Sequence, residues 1–305
     1  MKEEITLAYH CPNLINEWHP TLNEDKTPYN TSYGSGYRAW WILIYDDPRT
    51  GEQFVFEWQA AVFHRSKGQG CPYLSGKKVY PGFNDLATIC PDLITQVHPI
   101  KNENLTASDI VAYSNKKIWW IYSYDDPETG RYFEFEWESE PATRISTMGC
   151  PFLSNQRVWA GFNDLKTKYP QLALEWNYER NEKGPEKYMP NSREKVWWYY
   201  PYDDPVSGQH FDFEWQARIT NRVQDSSGCP FLSSNAVWAG FNDLASKRPD
   251  IAAEWDYERN RNVTPEMVTL YSNKKRWWRC SKCGEPWYAS PAKRAVGQEC
   301  KCNRR

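Results

Sequence analysis

The sequence predicts an α+β chain of small tandem repeats, and three observations carry that expectation. A Trp pair returns four times, at Trp40-Trp41, Trp119-Trp120, Trp197-Trp198 and Trp277-Trp278, in steps of 79, 78 and 80 residues. Phe-Glu-Trp recurs at Trp58, Trp137 and Trp215, Cys-Pro at Cys71, Cys150 and Cys229, and Gly-Phe-Asn-Asp-Leu at Gly82, Gly161 and Gly240. Strand-like alternation and short helix signals occupy the same places in each copy. A fixed period of this kind marks a repeat architecture in which each unit leans on its neighbours.

The Trp pair opens a strand. Trp40 to Tyr45 is apolar and aromatic, Asp46-Asp47-Pro48-Arg49-Thr50-Gly51 is turn chemistry, and Phe54 to Trp58 alternates, so a hairpin with a six-residue connection is predicted. Neighbouring strand residues face opposite ways. One Trp of each pair therefore enters the core, and the other is expected at a seam between repeats rather than on a binding platform. Short amphipathic helices are predicted where Pro12, Pro91, Pro170 and Pro249 occupy a first helical position, with Leu172 and Trp176 as an i, i+4 apolar pair. Asn84, Asn163 and Asn242 are the expected N-caps of another short helix. The period divides the chain into an N-terminal half-unit (1–39), three repeats (40–118, 119–196 and 197–276) and a C-terminal unit (277–305).

Units this small need a metal, a disulfide or a packed neighbour to stay folded. Aromatic residues make up 16% of the 305 residues, including 17 Trp, and supply much of the available core. The nine Cys, an odd number, do not form a disulfide framework. Four of them, Cys280, Cys283, Cys300 and Cys302, form two close pairs with Gly284 after the first. That pattern offers four soft ligands to one tetrahedral Zn²⁺, with reduced thiols or an iron–sulfur cluster as the alternatives.

At these residues the chain resembles the bacterial and phage probable zinc-ribbon repeats of treble-clef type. The resemblance rests on the run Ser272-Asn273-Lys274-Lys275-Arg276-Trp277-Trp278-Arg279-Cys280, together with Cys-Pro, Gly-Phe-Asn-Asp-Leu and Glu-Trp elsewhere. It implies tandem treble-clef or zinc-ribbon-like units, each with one Cys pair on a knuckle after the Trp pair and another at a later turn. It also implies nucleic-acid association, since such repeats accompany nuclease-like domains. This chain departs from the pattern in its first three units. Leu43, Tyr122 and Tyr200 stand where Cys280 stands in the last unit, and Leu74, Leu153 and Leu232 stand where a partner for Cys71, Cys150 and Cys229 is expected. Three metal-free units held by apolar packing, and one structural zinc in the last, are the expectation.

Charge is divided along the chain. Residues 271–305 carry ten Lys and Arg against two Glu, a formal +8, whereas the other 270 carry 27 basic and 37 acidic side chains, a formal −10. Lys274, Lys275, Arg276, Arg279, Lys282, Lys293, Arg294, Arg304 and Arg305, set among Trp and Tyr, are the candidate nucleic-acid contacts. A solvated charged face without a partner is the plain alternative. Arg294 recurs as Arg65, Arg144 and Arg222, so it is either such a contact or a partner for the Glu of Phe-Glu-Trp. The rival partner is a basic protein docked on the acidic repeats, as a scaffold or inhibitor of a nucleic-acid enzyme would bind. No catalytic residues are assigned: the five His form no metal or nuclease grouping, and the Asp-Asp pairs read as turns. No small-molecule substrate is evident. No apolar run exceeds the seven residues from Ala39 to Tyr45, and Met1-Lys2-Glu3-Glu4-Ile5 lacks a secretion signal, so neither a membrane span nor export is expected and a cytoplasmic location is.

Overall fold

The computed structural model of the protein describes residues 5–147, 149–224 and 227–304. The chain forms two compact units, one ending at Cys150 and one beginning at Pro151. The first contains the hairpins β1 (Arg38–Asp46) with β2 (Gln53–Ala61) and β3 (Ile118–Asp125) with β4 (Tyr132–Ser139). The second contains β5 (Lys195–Asp203) with β6 (His210–Arg218) and β7 (Arg276–Arg279) with β8 (Pro286–Ala289). Every hairpin is antiparallel, and the expected six-residue connection is present. The Asp-Asp pairs serve as turns: Asp47, Asp126 and Asp204 are buried and accept the backbone N–H of Arg49, Glu128 and Val206. Gly51, Gly130 and Gly208 then take the positive φ that closes each turn.

Register decides which Trp enters the core. Trp41 faces Trp58 across the hairpin, and Trp120, Trp198 and Trp278 likewise face Trp137, Trp215 and Trp287. The second Trp of every pair is fully buried, and its indole N–H donates to a backbone carbonyl of the opposite strand. The first Trp is half-buried on the other face. In the last three hairpins Lys101, Arg180 and Arg259, each from the segment before its own hairpin, lie over the rings of Trp119, Trp197 and Trp277. An Asn from that loop fixes the same Trp by its backbone. Asn23, Asn102, Asn181 and Asn260 accept the N–H, and donate to the C=O, of Trp40, Trp119, Trp197 and Trp277.

Short helices flank each hairpin, and Pro opens those at Pro12–Glu17, Pro91–Gln96, Pro170–Ala173 and Pro249–Ala252 as expected. After three of them comes a Trp (Trp18, Trp176, Trp255) that bridges to the buried Trp of the hairpin at 5.0–5.5 Å, edge to face. Val97 takes that place in the second repeat. The expected Asn caps are displaced by one residue. Asp85, Asp164 and Asp243 cap the helices starting at Leu86, Leu165 and Leu244 through their side chains. Asn84, Asn163 and Asn242 instead tie the preceding loop together through its backbone.

The helix after each hairpin supplies an Arg that is buried: Arg65, Arg144, Arg222 and Arg294. Each guanidinium lies 4.6–5.9 Å from two indole rings of its own hairpin. Its partner is a carboxylate of the helix-end region before the hairpin, Glu17, Glu175 or Glu254, and not the Glu of Phe-Glu-Trp. That strand Glu meets His19, His98 or Asn177. The second repeat breaks the rule with a neutral Gln96 as the partner of Arg144. Burial lowers the pKa of Arg144, and its Nε and Nη1 have no partner.

Two outcomes follow from this packing. Trp137, 4% exposed, should cost about 3–5 kcal/mol when replaced by Ala, whereas Glu128→Ala in the exposed turn should change the melting temperature little. An unchanged melting temperature for Trp137→Ala would contradict the core assignment. Gln96→Glu should stabilise the second repeat by about 1–2 kcal/mol, because a buried cation gains a charge-assisted partner; denaturant unfolding measures it, and a destabilised variant would contradict the reading.

Candidate metal centre

The apolar cores of the first and third repeats extend past the Trp layer into a box of rings. In the first, Phe56 lies 5.0 Å from both Tyr80 and Phe83, and Leu43 and Cys71 pack in the same cluster. In the third, Phe213 lies 5.0–5.3 Å from Phe231, Trp238 and Phe241, with Tyr200 and Cys229 beside them. Burial pushes the Cys71 and Cys229 thiols up, away from thiolate and from nucleophilic chemistry. Leu74 and Leu232 do not fill the position of a lost ligand: they are 42% and 40% exposed. Rings one residue closer to the Cys, Tyr73 and Phe231, point inward instead.

The fourth hairpin is cut short. β7 and β8 have four residues each, where β5 and β6 have nine. Its core cluster reaches Trp278 and Trp287 and contains no Phe. Beyond that point lie four sulfurs instead of rings. Cys280 and Cys283 sit in the connection between the strands, and Cys300 and Cys302 come from the chain end, with all four Sγ atoms within 4.8 Å of one another. Cys280 Sγ lies 3.4 Å from Cys302 Sγ, and Cys283 Sγ 3.9 Å from Cys300 Sγ. A tetrahedral ion with Zn–S bonds of about 2.3 Å needs sulfurs roughly 3.8 Å apart, so the donor set fits one zinc. The single residue between Cys300 and Cys302 does not prevent closure.

The electrostatics suit a cation. Backbone N–H groups of Cys283 and Lys282 turn toward Cys280 and lower its thiol to about 7. Hydrogen bonding with Cys280 drives Cys302 the other way, up to about 12, because crowded thiols cannot all ionise together. A divalent ion removes that conflict. Four thiolates saturate it and leave no position for a water, so its contribution is to hold the knuckle closed.

Glu254 extends the site inward. One carboxylate oxygen accepts the N–H of Ser281 at 3.0 Å and its hydroxyl at 2.5 Å, and the other accepts the buried Arg294 at 2.6 Å. Burial opposes ionisation of Glu254, yet Ser281 and Arg294 together hold its carboxyl below the usual range. The Glu–Arg clamp of the other repeats thus gains a second duty here, fixing the residue between two zinc ligands. Sequence reasoning missed this, although Glu17, Glu175 and Glu254 stand 158 and 79 residues apart, whole multiples of the period, and so signal a shared partner.

Of the candidate nucleic-acid residues, Lys274, Lys275, Lys282 and Lys293 are exposed and Arg276 is half-buried. Arg279 is half-exposed and meets Asp256 and Glu258, each at 3.4 Å. Arg294 is 8% exposed and belongs to the core clamp, so its side chain does not stand at the surface with the others. Arg305 and the side chain of Arg304 lie outside the described residues.

Glu254→Gln should weaken zinc binding about 10–100-fold in a chelator competition, with the ligands intact; unchanged affinity would show that Ser281 needs no such support. Chelation should release amide protection in residues 276–304 while β1 to β6 stay protected in hydrogen exchange. A loss of protection across all hairpins would contradict the division between zinc and aromatic cores.

No helix among the described residues is long and apolar enough to cross a membrane. No curated protein matches the chain. A family model described as "Probable Treble clef zinc finger domain" matches four successive segments, residues 14–77, 93–152, 172–231 and 251–305. Each segment begins inside a Pro-initiated helix and takes in the Trp hairpin and the Cys turn that follows, and together they cover most of the chain. With four tandem matches and one four-cysteine centre fitted to a structural zinc, the chain belongs to the probable treble clef zinc finger domain family.

Proposed function

We infer that this is a non-enzymatic zinc-containing repeat protein that associates with nucleic acid through its basic C-terminal unit. The carrying observation is the separation of charge: a formal +8 in residues 271–305 against −10 in the rest. Four zinc-bound thiolates would bring the tail to about +6, still strongly basic. Lys274, Lys275, Lys282 and Lys293 are exposed in this unit, Lys282 within the knuckle itself, and their neutralisation of phosphates would release counterions. A rigid zinc unit holds these cations in fixed places, and a coordinatively saturated ion offers no route to hydrolysis.

A second reading assigns the acidic repeats a basic protein partner. Its support is the formal −10 carried by the residues before Tyr271.

Gel-shift titration at several salt concentrations separates the two. Affinity should fall steeply as salt rises, and replacing Lys274 and Lys275 by Ala should reduce the slope of log K against log salt by about two. An absence of binding at low salt would overturn the nucleic-acid reading and leave the protein partner.

A further inference from the structure

The four hairpins present equivalent outer faces, and the last differs from the rest in one respect. Across from the half-buried first Trp stands Gln59 in the first repeat, Glu138 in the second and Gln216 in the third, but Tyr288 in the fourth. Residues two apart on a strand share a face. The outer face of β4 therefore carries Glu134, Glu136 and Glu138, and that of β6 carries Asp212 and Glu214. On β8 the matching positions are Pro286 and Tyr288, with no carboxylate. Trp277 and Arg279 lie on the same face of the opposing strand, with Lys275 just before it.

Geometry makes this face a stacking surface. The rings of Trp277 and Tyr288 lie 4.9 Å apart at 40°, and Tyr288 is 50% exposed. Lys275 Nζ reaches 5.9 Å from the Tyr288 ring, and the Arg259 guanidinium lies 5.2 Å from that of Trp277. Asp256 and Glu258 hold Arg279 at the edge of the pair and Arg259 lies over Trp277, so Tyr288 and Lys275 form the open part. A half-exposed Tyr288 ring, backed by Trp277 and flanked by cations in the strongly basic part of the chain, matches a polyanion whose units also have flat apolar faces. Bases in a duplex are already stacked on each other, whereas unpaired bases offer those faces to a protein.

We propose that Tyr288, supported by Trp277 and with Lys275 beside it, forms a platform on which the unpaired bases of single-stranded nucleic acid stack. This rests on the nucleic-acid reading above and deepens it by naming the strand state. Duplex DNA meets only the cations of the same unit, without the rings. The recognition is tolerant of base identity, because every base has a π-face.

The test is fluorescence anisotropy with the zinc-loaded full chain, using a labelled single-stranded DNA oligonucleotide, the RNA of the same sequence, and the DNA duplex formed with its complement, all at low salt. The wild type should bind either single strand more tightly than the duplex. Tyr288→Ala should weaken single-strand binding roughly 5- to 150-fold while leaving duplex binding unchanged, and Tyr288→Phe should restore it to within about twofold. Equal affinity for single strand and duplex, or single-strand affinity unchanged by Tyr288→Ala, overturns the platform and leaves the electrostatic reading standing. Failure of all three probes to bind overturns both.

Discussion

A guanidinium buried between two indoles is the constraint common to all four repeats. Arg65, Arg144, Arg222 and Arg294 each reach under their own hairpin from the helix that follows it, and each is met by a side chain from the helix-end region that precedes it. Burying a cation is expensive unless it is paired and hydrogen-bonded, so the three elements cannot separate without exposing the penalty. The clamp therefore sets hairpin and flanking helices in place before anything is specified about the far end of the hairpin. Trp18, Trp176 and Trp255 pack against the same buried Trp, and Asn23, Asn102, Asn181 and Asn260 pin the strand from the other side.

With that frame fixed, the far end of each hairpin has two solutions. In the first and third repeats the strands lengthen to nine residues, and Phe, Tyr and Trp side chains fill the space beyond the Trp layer. In the fourth the strands stop after four residues, and four thiols converge. One fully buried Phe in each, Phe56 or Phe213, with the buried and half-buried rings around it contributes on the order of 10 kcal/mol through burial and ring pairing, before ordering entropy is subtracted. A structural zinc supplies an apparent stabilisation of about the same order. The exchange of metal for rings is thus energetically balanced. It leaves Cys71 and Cys229 as small, poorly ionised core residues.

The repeat, the hairpins and the four-cysteine set were legible because each has a local signature: a fixed period, alternation bounded by Asp-Pro and Gly, and two close Cys pairs. The Leu residues at lost ligand positions misled because one-dimensional alignment does not say which way a turn residue points, and Leu74 and Leu232 face outward. The cap fell on Asp85 and not Asn84 because both residues are capping types, and only the loop geometry assigns Asn84 to the backbone of Tyr73 and Lys78. Arg294 resembled a surface cation in sequence. Its burial depends on Glu254, forty residues earlier, and no local pattern links the two. The half-buried Trp of each pair from the second repeat onward is covered by a Lys or Arg of its own loop, a contact set by loop conformation.

A four-cysteine site in the last unit, and rings in its place in the first and third repeats, divide the chain between metal and aromatic packing. That division is the centre of the account, and metal content tests it most directly. Elemental analysis of the full chain should give one zinc per molecule, held by Cys280, Cys283, Cys300 and Cys302. A value of three or four would mean that Cys71, Cys150 and Cys229 also hold metal, and a value of zero that the converging thiols do not; either contradicts it.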